Sequence, residues 1–293
     1  MNNTLFNQFA KQFFEAFLTP LGEVKLNLEV PAQPCVIQTL FVPFSESSTY
    51  SEILGNTSNE DETKSKNPED QLSRQLLRGL LSQFGEFKTN VEIPTEPYYI
   101  NIWFAPASQP PANPEALGVL NRIATTPCLI EPFCDELTED DVQDCMAKLL
   151  RKQSQFQRQL NIEDEDALEE QLPKLWVLAP SVSEDVPDGF NATLSDEWFE
   201  GIYFLAPFLR SVIIAIDELP QIQETLLLRI LGKGATQRQA IYEASALPKE
   251  DPRRSTILRL LATWKMGLKA SAEIDREDRE LLMILSDIPC EDV

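Results

Sequence analysis

The chain has 293 residues, 25 Lys and Arg against 47 Asp and Glu, and a formal charge of −22. A surface that acidic repels nucleic-acid backbones and anionic membranes unless metal ions or a local basic patch intervene. It has no histidine, which excludes Ser-His-Asp and Cys-His catalysis, His-ligated haem and 2-His-1-carboxylate iron.

Proton transfer, if any, must therefore use carboxylates, Lys, Tyr or Cys. No apolar run approaches the ~20 residues of a membrane span, and the first residues lack the pattern of a signal peptide. The five cysteines, Cys35, Cys128, Cys134, Cys145 and Cys290, are odd in number and form no CxxC pair. Reduced thiols in a cytoplasmic protein are expected, with neither zinc nor another cofactor.

Taken in chain order, residues 4–18 place Phe6, Phe9, Ala10, Phe13 and Phe17 at helical spacing, and Gly22 ends the helix. Val24, Leu26, Leu28 and Val30 then alternate with Glu23, Lys25, Asn27 and Glu29, the period of a half-buried strand. Pro31 and Pro34 bracket an expected turn, and Cys35 to Val42 forms a second strand ending at Pro43.

The pattern returns 63 positions later: a helix over Leu72, Leu76, Leu77 and Leu80, a stop at Gly85, and Phe87, Thr89, Val91 and Ile93 alternating with Glu86, Lys88, Asn90 and Glu92. Pro94 and Pro97 bracket the turn, and Tyr98 to Ala105 is the second strand. We read a helix–hairpin unit written twice. The polar faces Glu23-Lys25-Asn27-Glu29 and Glu86-Lys88-Asn90-Glu92 suit solvated sheet faces with cross-strand charge pairs better than ligand sites.

Residues 45–69 are polar and nearly devoid of core formers, which predicts a flexible linker. Beyond the second copy come a short helix near 115–123 and a helix from Thr138 to about Leu160, with Thr138 as N-cap and Glu139, Asp140 and Asp141 in its first turn. Leu129-Ile-Glu-Pro-Phe133 is an apolar segment between two cysteines that reads as core. Leu175–Pro180, Ile202–Leu205 and Ser211–Ile216 read as strands, and 221–231, 235–246, 253–270 and 276–285 as helices.

Leu231-Gly-Lys-Gly-Ala-Thr236 evokes a phosphate loop but lacks its first glycine and its strand, so a helix cap and turn is the reading. The acidic clusters Glu60–Glu62 and Glu163–Glu170 lack calcium-loop spacing. Trp103, Trp176, Trp198 and Trp264 read as core anchors, with Trp198-Phe199 the one pair also suited to a surface contact. The domain plan expected is a first repeat over 1–44, the linker 45–69, a second repeat and core over 70–220, and a helical region over 221–293. Between Arg229 and Arg279 stand eleven Lys/Arg and seven Asp/Glu, a local surplus in an acidic chain.

Tyr99-Ile-Asn-Ile-Trp-Phe-Ala-Pro106, Ala116–Phe133, Leu175–Pro180 and Leu219–Gly232 together resemble a family of cyanobacterial proteins of unknown function, some labelled flagellar assembly proteins. More remotely the chain resembles the PD-(D/E)XK nuclease-like proteins that include the Rpn recombination-promoting nucleases. That resemblance implies an α/β fold with an α-β-β-β-α-β restriction-endonuclease-like core. In it an Asp on one strand and an E-x-K on the next hold Mg²⁺, which activates water and stabilises phosphate charge.

The family strand reads I-D-[VI]-W-F; here the Asp position is Asn101, and its first-copy counterpart is Gln38. An amide is a poorer Mg²⁺ ligand than a carboxylate. Glu23-Val-Lys25 and Glu86-Phe-Lys88 spell E-x-K but precede the Asn101 strand.

The leading expectation is thus a non-catalytic protein that contacts another protein through a degenerate nuclease-like fold. One alternative is a divergent Mg²⁺-dependent nuclease using Glu86, Lys88, Glu92 and Asn101, or Glu23, Lys25, Glu29 and Gln38 in the first copy. A second is nucleic-acid binding through residues 229–279.

Overall fold

A computed structural model describes residues 3–32, 35–43, 78, 80, 83, 85–93, 97–108, 114–160, 171–271, 274 and 276–287. The linker 45–69, most of the helix expected at 72–80, and both acidic clusters fall outside the described residues, though Arg78 and Leu80 are helical. The protein is α/β. Among the described residues the helices with full bounds are α1 (Asn3–Leu18), α2 (Val119–Ile123), α3 (Glu139–Leu160), α4 (Asp185–Gly189), α5 (Leu226–Arg229), α6 (Gly234–Ser245), α7 (Arg254–Ala270) and α8 (Arg276–Asp287). Its strands are β1 (Gly22–Val30), β2 (Cys35–Pro43), β3 (Gly85–Ile93), β4 (Tyr98–Pro106), β5 (Cys128–Pro132), β6 (Lys174–Ala179), β7 (Thr193–Leu194), β8 (Ile202–Phe204) and β9 (Ser211–Ala215).

The duplication is visible in the strands themselves: β3 and β4 begin and end 63 positions after β1 and β2. The expected hairpins, however, do not form. β1 lies beside β4 in a seven-stranded sheet of order β1-β4-β5-β6-β9-β8-β7, and β2 pairs with β3 in a second, two-stranded sheet. Each copy therefore gives one strand to each sheet.

The connections bear on this correction. Each copy joins its two strands through Pro-x-x-Pro, which contains neither Gly nor Asn, the residues that favour the tightest hairpin turns.

The chain divides into two compact units, Met1–Val30 with Tyr99–Val293, and Pro31–Tyr98, a division that runs through both copies. In the smaller unit β2 and β3 are antiparallel, with Cys35 opposite Ile93, Thr39 opposite Thr89 and Pro43 opposite Gly85. In the larger unit the start of β1 lies against the end of β4, where Ala107 N–H donates to Leu21 O at 2.9 Å. Gly22 is required there, because a Cβ would meet Ala105 O at 2.1 Å.

The larger sheet is antiparallel at β4·β5, parallel at β5·β6 and β6·β9, and antiparallel again through β8 and β7. Its parallel strands are buried along their length, as expected for strands covered on both faces. One face presents Ile102, Phe104, Cys128, Ile130, Trp176, Leu178 and Ile214 to α1 and the C-terminal helices. Phe6, Phe9, Ala10, Phe13 and Phe17 are all buried as the periodicity predicts, and Phe9 stacks on Trp264 of α7 at 3.9 Å between ring centroids. The other face meets α3, where Phe156 packs on Trp103.

α3 begins as its sequence predicts: the Thr138 hydroxyl accepts from Asp141 N–H at 3.3 Å, and the Asp141 carboxylate accepts from Thr138 N–H at 3.1 Å. The helix expected over 221–231 is shorter. Thr225 turns its hydroxyl onto the carbonyls of Pro220 and Ile222, and regular helix starts only at Leu226. The turn between α5 and α6 covers only 230–233, and the positive φ of +57° falls on Gly234, the first residue of α6, instead of on a residue that ends α5. Trp198 is no free surface anchor: it packs on Trp176 and Phe204 and carries the Arg122 guanidinium 3.6 Å above its ring. Among the described residues, no helix is long and apolar enough to cross a membrane.

Candidate functional site

The centre of interest is a carboxylate inside the larger sheet. Glu131 stands in β5 between β4 and β6 and is 0% exposed. A buried carboxylate requires both hydrogen bonds and a compensating charge. Asn101 of β4 supplies two donors: its backbone N–H reaches Oε1 at 3.0 Å and its Nδ2 reaches Oε2 at 2.6 Å. Lys148 of α3 supplies the charge, with Nζ 3.0 Å from Oε2 and a side chain only 17% exposed.

A wider set of polar groups surrounds this triad. Lys11 of α1 donates to Asn27 Oδ1 at 2.5 Å, and Asn27 takes a positive φ of 50° within β1. Burial lowers the Lys11 pKa; the Glu131 charge opposes that shift and the Lys148 charge adds to it, so the three groups share one electrostatic environment. Lys152, one turn beyond Lys148, sits 4.8 Å over the Trp103 ring. Its pKa is lowered by burial and then by Lys25. Cys145, one turn before Lys148, is buried; desolvation pushes its thiol up, and Glu131 pushes in the same sense. A thiol so placed is a poor nucleophile.

Of the residues singled out from sequence, Asn101 is at the centre of this site. Glu23, Lys25 and Glu29 lie exposed on β1, next to β4 in the same sheet, with Lys25 paired to Glu23 at 3.1 Å. Glu86, Lys88 and Glu92 belong to β3, and Gln38 to β2, so their strands lie in the two-stranded sheet and not in the sheet that carries Asn101.

Sequence reasoning missed Glu131 and Lys148. The available signal was a single charge inside Cys-Leu-Ile-Glu-Pro, on the strand that follows Asn101. A carboxylate in an otherwise apolar buried strand must be paired, and that requirement points to a partner such as Lys148.

Three of the eleven basic residues of 229–279 are engaged inside the fold. Arg229 is 0% exposed and bidentate to Glu243, at 3.1 and 2.6 Å. Lys233 bridges Asp135 and Glu277 at 2.7 and 3.1 Å, and Arg253 pairs with Asp251 at 2.8 Å. Among the described residues, no group of three or more Cys, Asp or Glu is arranged to hold a metal ion. No protein-family model matches the chain, and comparisons with curated proteins and with solved structures also return no match.

Proposed function

We propose that this protein is a non-catalytic, protein-contacting scaffold of the cytoplasm, built on a degenerate nuclease-like core. The observation that carries this reading is the state of Glu131, both of whose oxygens are already occupied by Asn101 and Lys148. Element order supports the kinship. With β2 and β3 in the other sheet and the short α2 set aside, the larger unit runs α1-β1-β4-β5-α3-β6, the α-β-β-β-α-β succession of the resemblance, with Asn101 on its second strand and Glu131 on its third.

Where the nuclease pattern has Asp, then E-x-K, this chain has Asn101, then Glu131-Pro132-Phe133, and an amine arrives from α3. Mg²⁺ binds where carboxylates leave a surplus of negative charge and free oxygen lone pairs. Glu131 and Lys148 sum to zero, and Asn101 adds donors where a metal needs acceptors. The constellation is suited to holding β4, β5 and α3 together.

Thermal melts with and without millimolar Mg²⁺ or Mn²⁺ test the degenerate site. The midpoint of the wild type should stay put. An upward shift abolished by Glu131→Gln would overturn the reading, since a ligand of the native state stabilises by RT ln(1 + [L]/Kd). Cross-linked pull-down with the full chain tests the scaffold role, and failure to recover any reproducible protein partner would count against it.

A second reading draws on the lysines. Lys11, Lys25 and Lys152 stand with Lys148 in one electrostatically linked series around Asn101 and Trp103, in which Glu131 offsets Lys148 and Glu23 offsets Lys25. The charge left on Lys11 and Lys152 favours anionic polymers through counter-ion release. Salt-sensitive binding of a single-stranded oligonucleotide, weakened by Lys25→Ala and Lys152→Ala but not by changes at Lys249 or Lys265, would favour this reading.

A further inference from the structure

We propose that the outer edge of β2 binds the β2 edge of a second copy of this chain, joining two molecules through an antiparallel β2–β2 pair. The duplication provides the comparison. In the larger unit the β1·β4 pair is extended on the β4 side by β5, with Ile102, Trp103 and Phe104 opposite Ile130, Leu129 and Cys128. β2 is the copy of β4, and Thr39, Leu40 and Phe41 stand 63 positions before Ile102, Trp103 and Phe104. Among the described strands, β2 is hydrogen-bonded to β3 alone. Trp103 and Phe104 are 5% and 0% exposed, whereas Leu40 and Phe41 are only half-buried. The same strand pair is completed by a third strand in one unit and has two described strands in the other.

The sequence of the edge selects the occupant. Exposed sheet edges are normally guarded by charges, bulges or short length. β1 carries Glu23, Lys25 and Glu29 and a positive φ at Asn27; β3 carries Glu86, Lys88 and Glu92; β7 has two residues. β2, Cys-Val-Ile-Gln-Thr-Leu-Phe-Val-Pro, has nine residues and no charge. Among the described strands with one neighbour, it alone lacks a guard. Pairing β2 with itself is isologous and closes on a two-fold axis, so it ends in a dimer and uses up the unguarded edge on both partners. Each copy carries −22, so the uncharged strand is the contact least opposed by repulsion, and added salt should strengthen the association. This inference is independent of the reading of Glu131.

Sedimentation velocity on the full chain across a hundredfold range of concentration, at low and high salt, is the first test. The mass should double with concentration, at lower concentration in high salt. Hydrogen exchange of the amides of residues 35–43 should slow at least tenfold on association. Leu40→Lys and Thr39→Glu, each checked for an unchanged melt, should weaken dimerisation at least tenfold. A monomer at every concentration overturns the proposal, as does a dimer whose β2 amides exchange as fast as in the monomer. Full protection of β2 in the monomer would mean that another segment of the same chain holds the edge, and would also overturn it.

Discussion

Glu131 and Arg229 are both fully buried charges, but they are compensated in different ways. Arg229 spreads four hydrogen bonds over Ile222, Thr225 and Glu243, so one guanidinium fastens a loop, a short helix and α6. Its counter-charge, Glu243, keeps 22% of its side chain exposed and can return to water. Glu131 has no such route. Its carboxylate lies inside the sheet, and two of its three donors belong to Asn101. Arg229 strengthens a junction between segments, whereas Glu131 is held inside the sheet by donors from β4 and α3.

The comparison breaks most clearly at Lys148. Lys148→Met keeps the aliphatic packing but leaves Glu131 buried without a counter-charge, and urea unfolding should show a loss of about 3–5 kcal/mol. Arg229→Met leaves a carboxylate that can be hydrated, plus one hydroxyl and one carbonyl short of a donor, for a smaller loss of about 2–3 kcal/mol. The reverse order would mean that water reaches Glu131 and that its burial is not what constrains the site.

Asn101→Asp sharpens the contrast further. It sets a second carboxylate against Glu131, so one of the two must hold a proton. A carboxyl raised in the folded state contributes stability at low pH that is lost as pH rises. The variant should therefore be about 2 kcal/mol less stable than wild type near pH 8 and approach it only below about pH 4. Addition of millimolar Mg²⁺ to this variant asks whether the two neighbouring carboxylates together accept a metal.

Paired replacement, Glu131→Gln with Lys148→Met, removes both charges while the amide oxygen still accepts from Asn101. The double variant should lie within about 1–2 kcal/mol of wild type, far above the sum of the single losses.

The smallest effect concerns acid. The Arg229 hydrogen bonds hold the Glu243 carboxyl below its ordinary value. The stability this gives is present above the usual carboxylate range and is lost as pH falls through the lowered folded value. Glu243→Gln should make the acid limb of a stability–pH curve shallower while leaving the neutral region flat.

Much of this was legible from residue order. The phenylalanine stripe of α1, the Thr138 cap and the apolar run of β6 depend on neighbours within a few positions, and the structure contains each of them, as it does the strands of the 63-residue repeat. Asn101 was singled out through the resemblance of its strand to an I-D-[VI]-W-F pattern. Glu131 was not, because a lone acid in Cys-Leu-Ile-Glu-Pro has the same local pattern whether it faces water or lies beneath α3. Its meaning depends on Lys148, seventeen residues later and on another element. The helix predicted from 221 began late because a side-chain hydroxyl, Thr225, competed for backbone carbonyls, a preference that periodicity does not register.

By itself the sequence determined which stretches would be helix and strand, that one unit is repeated, and that histidine chemistry is absent, since these rest on local spacing and composition. Tertiary structure alone decided which strands would pair. Antiparallel ladders between β1 and β4 and between β2 and β3 bury the same alternating faces that two local hairpins would have buried, so the alternation cannot distinguish them. The one local signal against hairpins is that the Pro-x-x-Pro connections contain neither Gly nor Asn, the residues that favour a tight turn.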